Sequence, residues 1–163
     1  MKEVRTELQY ELYDSPEELK TEDRNLLNEA LKATESAYAP YSGFLVGAAV
    51  LLENDVVVTG SNQENAAYPS GLCAERVALF SAASHHPGVK IKAIAITARL
   101  ADKQALLCVS PCGDCRQVMA ECEHRYNNGI RLIMTAGQNR VMVFNDVKQL
   151  LPIMFNAGTL RPQ

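Results

Sequence analysis

An α/β fold, built as a three-layer α/β/α sandwich around a central mixed sheet, is what this sequence predicts, and three observations predict it. Apolar residues recur at helical spacing in some stretches and fill short β-rich runs in others. The two kinds alternate through most of the chain, which implies parallel neighbours in a sheet with helices on both faces. One pair of β-rich runs, though, is joined only by a turn at Asn54-Asp55, so an antiparallel hairpin belongs to the same sheet.

The elements follow in order. "SPEELKTEDRNLLNEALKATESAYA" (15–39) opens with Ser15 before Pro16, a good helix entry, and carries Leu26, Leu27, Ala30, Leu31, Ala37 and Tyr38 at helical spacing. A helix is expected there, with Thr21 as a second candidate cap, until "PYSG" (40–43) breaks it. "FLVGAAVLLEN" (44–54) and "VVVTGSN" (56–62) are the strands of the hairpin. "AERVALFSAAS" (74–84) is helical until "HHPG" stops it. "VKIKAIAITA" (89–98) reads as a strand with Ile91, Ala93, Ala95 and Thr97 on one face, "ALLCVS" (105–110) as a shorter strand and "PCGDCRQVMAECEHRY" (111–126) as a helix. "IRLIMTA" (130–136) and "VMVFN" (141–145) add two strands, and "DVKQLLPIMF" (146–155) opens a last short helix on an Asp146 cap. The sheet thus has five or six elements.

Composition bounds the function. A chain of 163 residues with 47% hydrophobic and 21% charged residues is one ordinary globular domain without internal repeat or linker. Residues 1–40 hold five Lys or Arg against ten Asp or Glu and the remainder eleven against nine, so charge is −5 and then +2, with the basic residues scattered singly. A groove for long polynucleotides needs clustered cations, so no nucleic acid polymer is expected as a partner. No apolar run approaches the roughly 20 residues that cross a bilayer, so no membrane is expected either. The N-terminal stretch is polar and reads as carrying no export signal. Five cysteines (73, 108, 112, 115, 122) in such a chain are expected to be reduced thiols or metal ligands, and the protein to be cytoplasmic.

The chemistry concentrates in two short strings. "SPCGDC" (110–115) sets Ser110 as cap, Pro111 at the first helical position, and Cys112 and Cys115 three residues apart in the first turn, so both sulfurs reach one point. "LCAER" (72–76) places Cys73 at the start of another helix. Three thiols can then converge where two helix N-termini meet, and the partial positive charge there favours thiolates, which suit tetrahedral zinc. Cys122 and His124 lie about 10 Å or more along the second helix at 1.5 Å per residue and cannot close the site. His85 and His86 end the helix that Cys73 begins and read as cap or surface residues. Cys108 is within reach by chain length and has a second reading as a core cysteine. With three ligands a fourth position stays open to water, whose pKa zinc lowers toward 7, and Glu75, two residues after Cys73, is placed to carry a proton beside it. Arg76 directly follows. Three thiolates and Zn²⁺ carry one net negative charge, and a guanidinium donating to the sulfurs would restore some acidity to the metal.

"CAE" followed by "PCGDC" 39 residues after Cys73 resembles the signature of zinc-dependent nucleoside and nucleobase deaminases. The wider resemblance is to the small, three-cysteine, homotetrameric cytidine deaminases, carried by "YSGFLVGAA" (41–49), "GSNQENAAYPSGLCAER" (60–76), "SPCGDCRQ" (110–117) and "LLPIMF" (150–155). It implies a cytidine deaminase-like fold, one zinc per chain on Cys73, Cys112 and Cys115, and Glu75 as proton shuttle in the hydrolysis of cytidine or deoxycytidine to uridine or deoxyuridine and ammonia. It implies that Asn62 and Glu64 hold the ribose 3′-hydroxyl, that Phe44 packs on the base, and that the Ala74 main chain joins Glu75 at the amide edge of the ring. It implies that Phe155 covers the active site of a neighbouring subunit, in a homotetramer acting on small pyrimidine nucleosides. Residues 1–20 remain as an acidic N-terminal extension, and 21–163 as one catalytic domain.

Other readings stand beside these. Asn62 and Glu64 also read as turn residues, Phe44 as core, Phe155 as a helix anchor, Arg76 as a surface ion-pair partner and Tyr68 as an interface or packing residue. Deaminases of antibiotic nucleosides share the cysteine and glutamate pattern, and a non-catalytic zinc module would share the cysteines. Gln63 stands where relatives often have an aliphatic residue, and Pro69 alters the loop before Cys73.

Overall fold

A computed structural model describes residues 1–103 and 105–160; positions 104 and 161–163 of the expected domain lie outside the described residues. In chain order the elements are β1 (Glu11–Tyr13), α1 (Thr21–Ala33), β2 (Phe44–Leu52), β3 (Val57–Ser61), α2 (Ala74–His85), β4 (Ile91–Leu100), α3 (Gly113–Tyr126), β5 (Arg131–Thr135), β6 (Val141–Phe144) and a single turn of helix, α4 (Ala157–Leu160). Six strands form one sheet in the order β1-β6-β5-β4-β2-β3.

The expected α/β/α sandwich forms because the strands alternate two buried faces. Val46, Ala48, Val50, Leu52, Ile94, Ile96, Leu132 and Met134 pack with Leu79 of α2 and Met119 of α3. Ala49, Leu51, Ala93, Ala95 and Ile133 pack on the other face with Leu26, Leu27 and Ala30 of α1. Two strand glycines let the helices sit this close. A side chain at Gly60 would meet the Ala78 backbone nitrogen at 2.5 Å, and one at Gly47 would collide with the Ala30 carbonyl oxygen. Ile91 does not share the face of Ala93 as its alternation predicts, because the register with β2 shifts between Leu51 and Leu52 and carries Ile91 to the α2 side.

The sheet is mixed. β2 runs antiparallel to both β3 and β4, while β4 and β5 are parallel. It follows that β3, β4 and β5 all point the same way, with β2 inserted between the first two. The crossover helices α2, after β3, and α3, after β4, therefore start at the same end of the sheet, outside the carboxyl ends of the strands they follow. That is where open α/β sheets place their sites.

Four expectations need correction. The helix expected over 15–39 is α1 only: Pro16–Glu18 forms a separate 3₁₀ turn capped by Ser15, the chain extends at Leu19 and Lys20, and another 3₁₀ turn, Thr34–Ser36, follows α1. Thr21 is the first helical residue of α1, not its cap. "ALLCVS" is not a strand. It wedges between the ends of β4 and β5, with Leu107 N–H donating to Ala98 O at 2.8 Å and Val109 N–H to Thr135 O at 3.0 Å, so neither neighbour gains a continuous ladder. The helix expected at 146–155 is a 3₁₀ turn, Val147–Leu150, opened by Asp146, whose carboxylate accepts from Lys148 N–H at 2.8 Å. Leu151, the residue before Pro152, leaves the helical region (φ −142°, ψ 68°), and the turn ends there. In the leader, Glu11–Tyr13 pairs antiparallel with Val141–Val143 as the edge strand.

Candidate metal centre and catalytic cleft

Cys73 is the N-cap residue of α2, and Cys112, not the expected Ser110, is that of α3, which begins at Gly113 rather than at Pro111; neither cysteine side chain makes a capping hydrogen bond. Both sulfurs are thus free to turn toward each other at two helix N-termini. Cys73 Sγ lies 3.8 Å from Cys112 Sγ, and Cys112 Sγ lies 3.5 Å from Cys115 Sγ. All three fall within 4.8 Å of one another, and among the described residues the set has three members, not four. Cys108 is exposed and bridges to Ala136, Cys122 of α3 is buried in the core, and the His85 ring is occupied with Ser81 one turn back. None of them joins the sulfurs.

The separations suit zinc. Tetrahedral zinc with bonds of about 2.3 Å holds its sulfurs about 3.8 Å apart, which the Cys73–Cys112 separation matches and the Cys112–Cys115 separation of 3.5 Å approaches. Their electrostatics agree. A hydrogen bond from the Cys115 thiol, with smaller help from the Arg76 guanidinium, pulls Cys73 down to about 5, so a thiolate is present near neutral pH. Cys115 moves the opposite way because it donates that hydrogen bond and is buried. One proton is shared by the pair, and a divalent soft cation would displace it.

Glu75, in the first turn of α2, is 4% exposed. Burial raises its carboxyl above the usual carboxylate range, and the negative charge on Cys73 pushes the same way. Arg76 points Nη2 at Cys73 Sγ, 3.9 Å away, and Nη1 at Asp114 Oδ2, also 3.9 Å away. Its Nε is buried without an acceptor among the described residues.

These groups form the floor of a cleft of about 620 Å³, whose wall includes Phe44, Asn62, Glu64, Ala74 and Ser110 and whose mouth carries Tyr41 and Tyr68. The two tyrosine rings meet edge to face with centroids 6.1 Å apart. Phe155, expected at an active site, does not line this cleft. It is largely exposed, and its carbonyl accepts from Gln117 Nε2 at 2.8 Å. The Asn62 amide is engaged with β2, accepting from Val46 N–H and donating to Phe44 O, each at 2.8 Å, so it braces the strand that carries Phe44. Glu64 is held by the Ser42 hydroxyl and by the N–H groups of Tyr41 (2.9 Å) and Ser42 (3.3 Å), which lower its carboxyl below the usual range. Sequence reasoning did not find Ser42 and Tyr41. They lie in the "PYSG" turn, and nothing local ties that turn to Glu64.

Fold and site together define a zinc-dependent hydrolase of the deaminase class. Residues 20–127 match the family described as "Cytidine and deoxycytidylate deaminase zinc-binding region". A cytidine deaminase of Halalkalibacterium halodurans is 49% identical over 98 residues, 59% of this chain and 68% of the relative. One from Sporosarcina psychrophila is 42% identical over 136 residues, 83% of this chain and 92% of the relative. The crystal structure of cytidine deaminase from Burkholderia pseudomallei superimposes with a TM-score of 0.70 at 38% identity, over 84% of this chain and all of the other. The chain belongs to the cytidine and deoxycytidylate deaminase family, and Cys73, Cys112 and Cys115 form its site for one zinc per chain.

Proposed function

We propose that the chain hydrolyses cytidine and deoxycytidine to uridine and deoxyuridine with release of ammonia, as a step of pyrimidine salvage. The observation that carries the reading is one buried carboxylate, Glu75, beside three converging sulfurs at the floor of a cleft sized for a small molecule. Zinc bound there acidifies a water, making hydroxide available near neutral pH.

The chain's own residues do the rest. Glu75 would take one proton from that water and deliver it to pyrimidine N3 as the oxygen bonds to C4, then move the remaining proton of the new C4 hydroxyl to the amino group, which leaves as ammonia as the C4–N bond breaks. Its raised proton affinity suits a group that must both accept and give. The Ala74 backbone, at the orphan N–H end of α2, reads the amide edge of the ring, and Phe44 packs on the base. Glu64 accepts from the ribose 3′-hydroxyl, with its carboxylate preset by Ser42 and Tyr41. The Asn62 amide, aligned by its two bonds to β2, offers its remaining N–H to the same sugar. Arg76 withdraws charge from Cys73 and so from the metal.

The active unit is a homotetramer in which the partner subunit's Phe155 closes each cleft. Exposed Phe80 and Tyr68 offer further apolar contact surface, and Phe155 is free of its own cleft. No helix among the described residues is long and apolar enough to cross a membrane, and we place the protein in the cytoplasm. Residues 21–163 form the catalytic domain, and residues 1–20 are an acidic extension that lends the sheet an edge strand.

Ammonia release measured on a panel of cytidine, deoxycytidine and adenosine, with zinc analysis on the same sample, tests the reading. Turnover of both cytosine nucleosides with about one zinc per chain is expected. A zinc-loaded, folded protein that deaminates neither refutes it.

A further inference from the structure

Helix α3 carries one metal ligand, Cys115, in its first turn and a second, Cys112, as its N-cap, and three side chains beyond them reach the C-terminal segment. Arg116 Nη1 donates to Leu150 O at 3.2 Å, and Gln117 Nε2 donates to Phe155 O at 2.8 Å. Buried Glu123 Oε1 accepts from Val147 N–H at 3.1 Å and from Ile130 N–H at 2.7 Å. Arg116 differs from the other two in facing both ways. Its Nε donates to Pro111 O at 2.9 Å and its Nη2 to the Ser110 hydroxyl at 3.0 Å.

One planar guanidinium therefore ties the loop that delivers Cys112 to the segment that ends in Phe155. The fixed fork of an arginine can hold three acceptors at once, whereas a lysine offers a single mobile point of attachment. Val147 and Leu150 are anchored in the core, but Ser110–Cys112 and the stretch after Leu150 have few other fastenings among the described residues. Pro111 has no N–H to donate, and the segment after Leu150 contains Pro152 and an almost fully exposed Ile153. A loose Ser110–Cys112 loop would let Cys112 wander relative to Cys115, which sits inside α3.

We propose that Arg116 is a positioning residue for the metal loop and that, with Gln117, it couples Ser110–Cys112 to residues 147–155 so that the two shift together. The inference rests on Cys112 as a zinc ligand and on the deaminase reading of the cleft. It adds a mechanical link between the metal and the segment that bears Phe155.

Zinc-loaded wild type, Arg116→Ala, Arg116→Lys and Gln117→Ala are challenged with excess chelator, and zinc release is followed with a colorimetric indicator. Amide hydrogen exchange is read over 105–112, 147–155 and α1. Arg116→Ala is expected to release zinc about tenfold faster, in the range seen when groups supporting metal ligands are removed. Exchange should rise in both tethered segments and stay unchanged in α1. In cytidine turnover the loss should fall on kcat with KM within about twofold. Arg116→Lys should restore less than half of the difference, and Gln117→Ala should loosen 147–155 while leaving zinc release near wild type. Wild-type release and exchange in both arginine variants would overturn the proposal, and if Arg116→Ala does not fold, Arg116→Lys decides by the same readings. A wild type that holds zinc without releasing ammonia from cytidine would refute the deaminase reading alone, because release and exchange still decide the role of Arg116.

Discussion

Asp23 and Glu75 occupy matching places on opposite faces of the sheet. Each carboxylate sits in the first turn of a helix, α1 or α2, and each is 4% exposed. Asp23 meets the Arg131 guanidinium, whose Nε and Nη2 both lie 2.9 Å from its Oδ2, and Arg131 also reaches Asn145 Oδ1 at 2.7 Å and Glu11 Oε2 at 3.7 Å. Glu75 has thiols for neighbours and, among the described residues, no ion pair of its own, and its proton affinity rises instead. The same residue chemistry, equally buried, thus fastens structure on one face and, in the mechanism we propose, moves protons on the other. The partner decides which, because a buried charge without a counter-ion is most easily relieved by taking up a proton.

Removing each carboxylate should separate the two roles. Glu75→Ala is expected to cut cytidine turnover by about 10²- to 10⁴-fold, as loss of a general acid–base does, with zinc content and melting temperature near wild type. Arg76→Gln comes next, with turnover down by about tenfold or more and zinc retention changed less, since the guanidinium tunes the sulfurs without ligating the metal. Asp23→Asn should leave turnover of the folded protein unchanged but cost about 2 kcal/mol in denaturant unfolding. That is less than the full penalty for breaking a buried pair, because the guanidinium is partly solvated and keeps other partners.

The smallest effect belongs to a third buried carboxylate. Burial, with Asp146 alongside, holds Glu123 up at about 7, although its two backbone donors work against the shift and Lys148 Nζ stands 3.6 Å from Oε2. The folded chain then keeps a proton that the unfolded chain loses near 4.5. The stability this contributes is complete below that value and is lost as pH rises through about 7. Glu123→Gln should therefore flatten the fall in melting temperature between pH 5 and about 8, while its amide oxygen still accepts from Ile130 and Val147. A variant with the wild-type slope would show that this carboxyl is ionised throughout, like one with a close cation.

The metal end of the molecule was legible in the sequence because its information is local. Cys112 and Cys115 share one turn, Cys73 and Glu75 share another, and zinc chemistry restricts what such a set can do. The hairpin and the helices α2 and α3 were legible for the same reason, since apolar periodicity is written into each segment. Pairings that join distant residues left no such trace. Edge strand β1 depends on Val141–Val143, far along the chain, and its own three residues are too few to show a period. The clasp of Ser42 and Tyr41 on Glu64 and the reach of Arg116 to Leu150 O likewise depend on how the sheet stacks its loops. "ALLCVS" misled because an apolar run can satisfy its hydrogen bonds singly, against two strand ends, as well as in a ladder.

The central claim is that three sulfurs hold one zinc and leave a position open beside Glu75. X-ray absorption at the zinc edge on the loaded protein reads the coordination shell directly. Three sulfurs at about 2.3 Å and one oxygen near 2.0 Å are expected. A shell of four sulfurs, or one containing an imidazole nitrogen, would contradict the account.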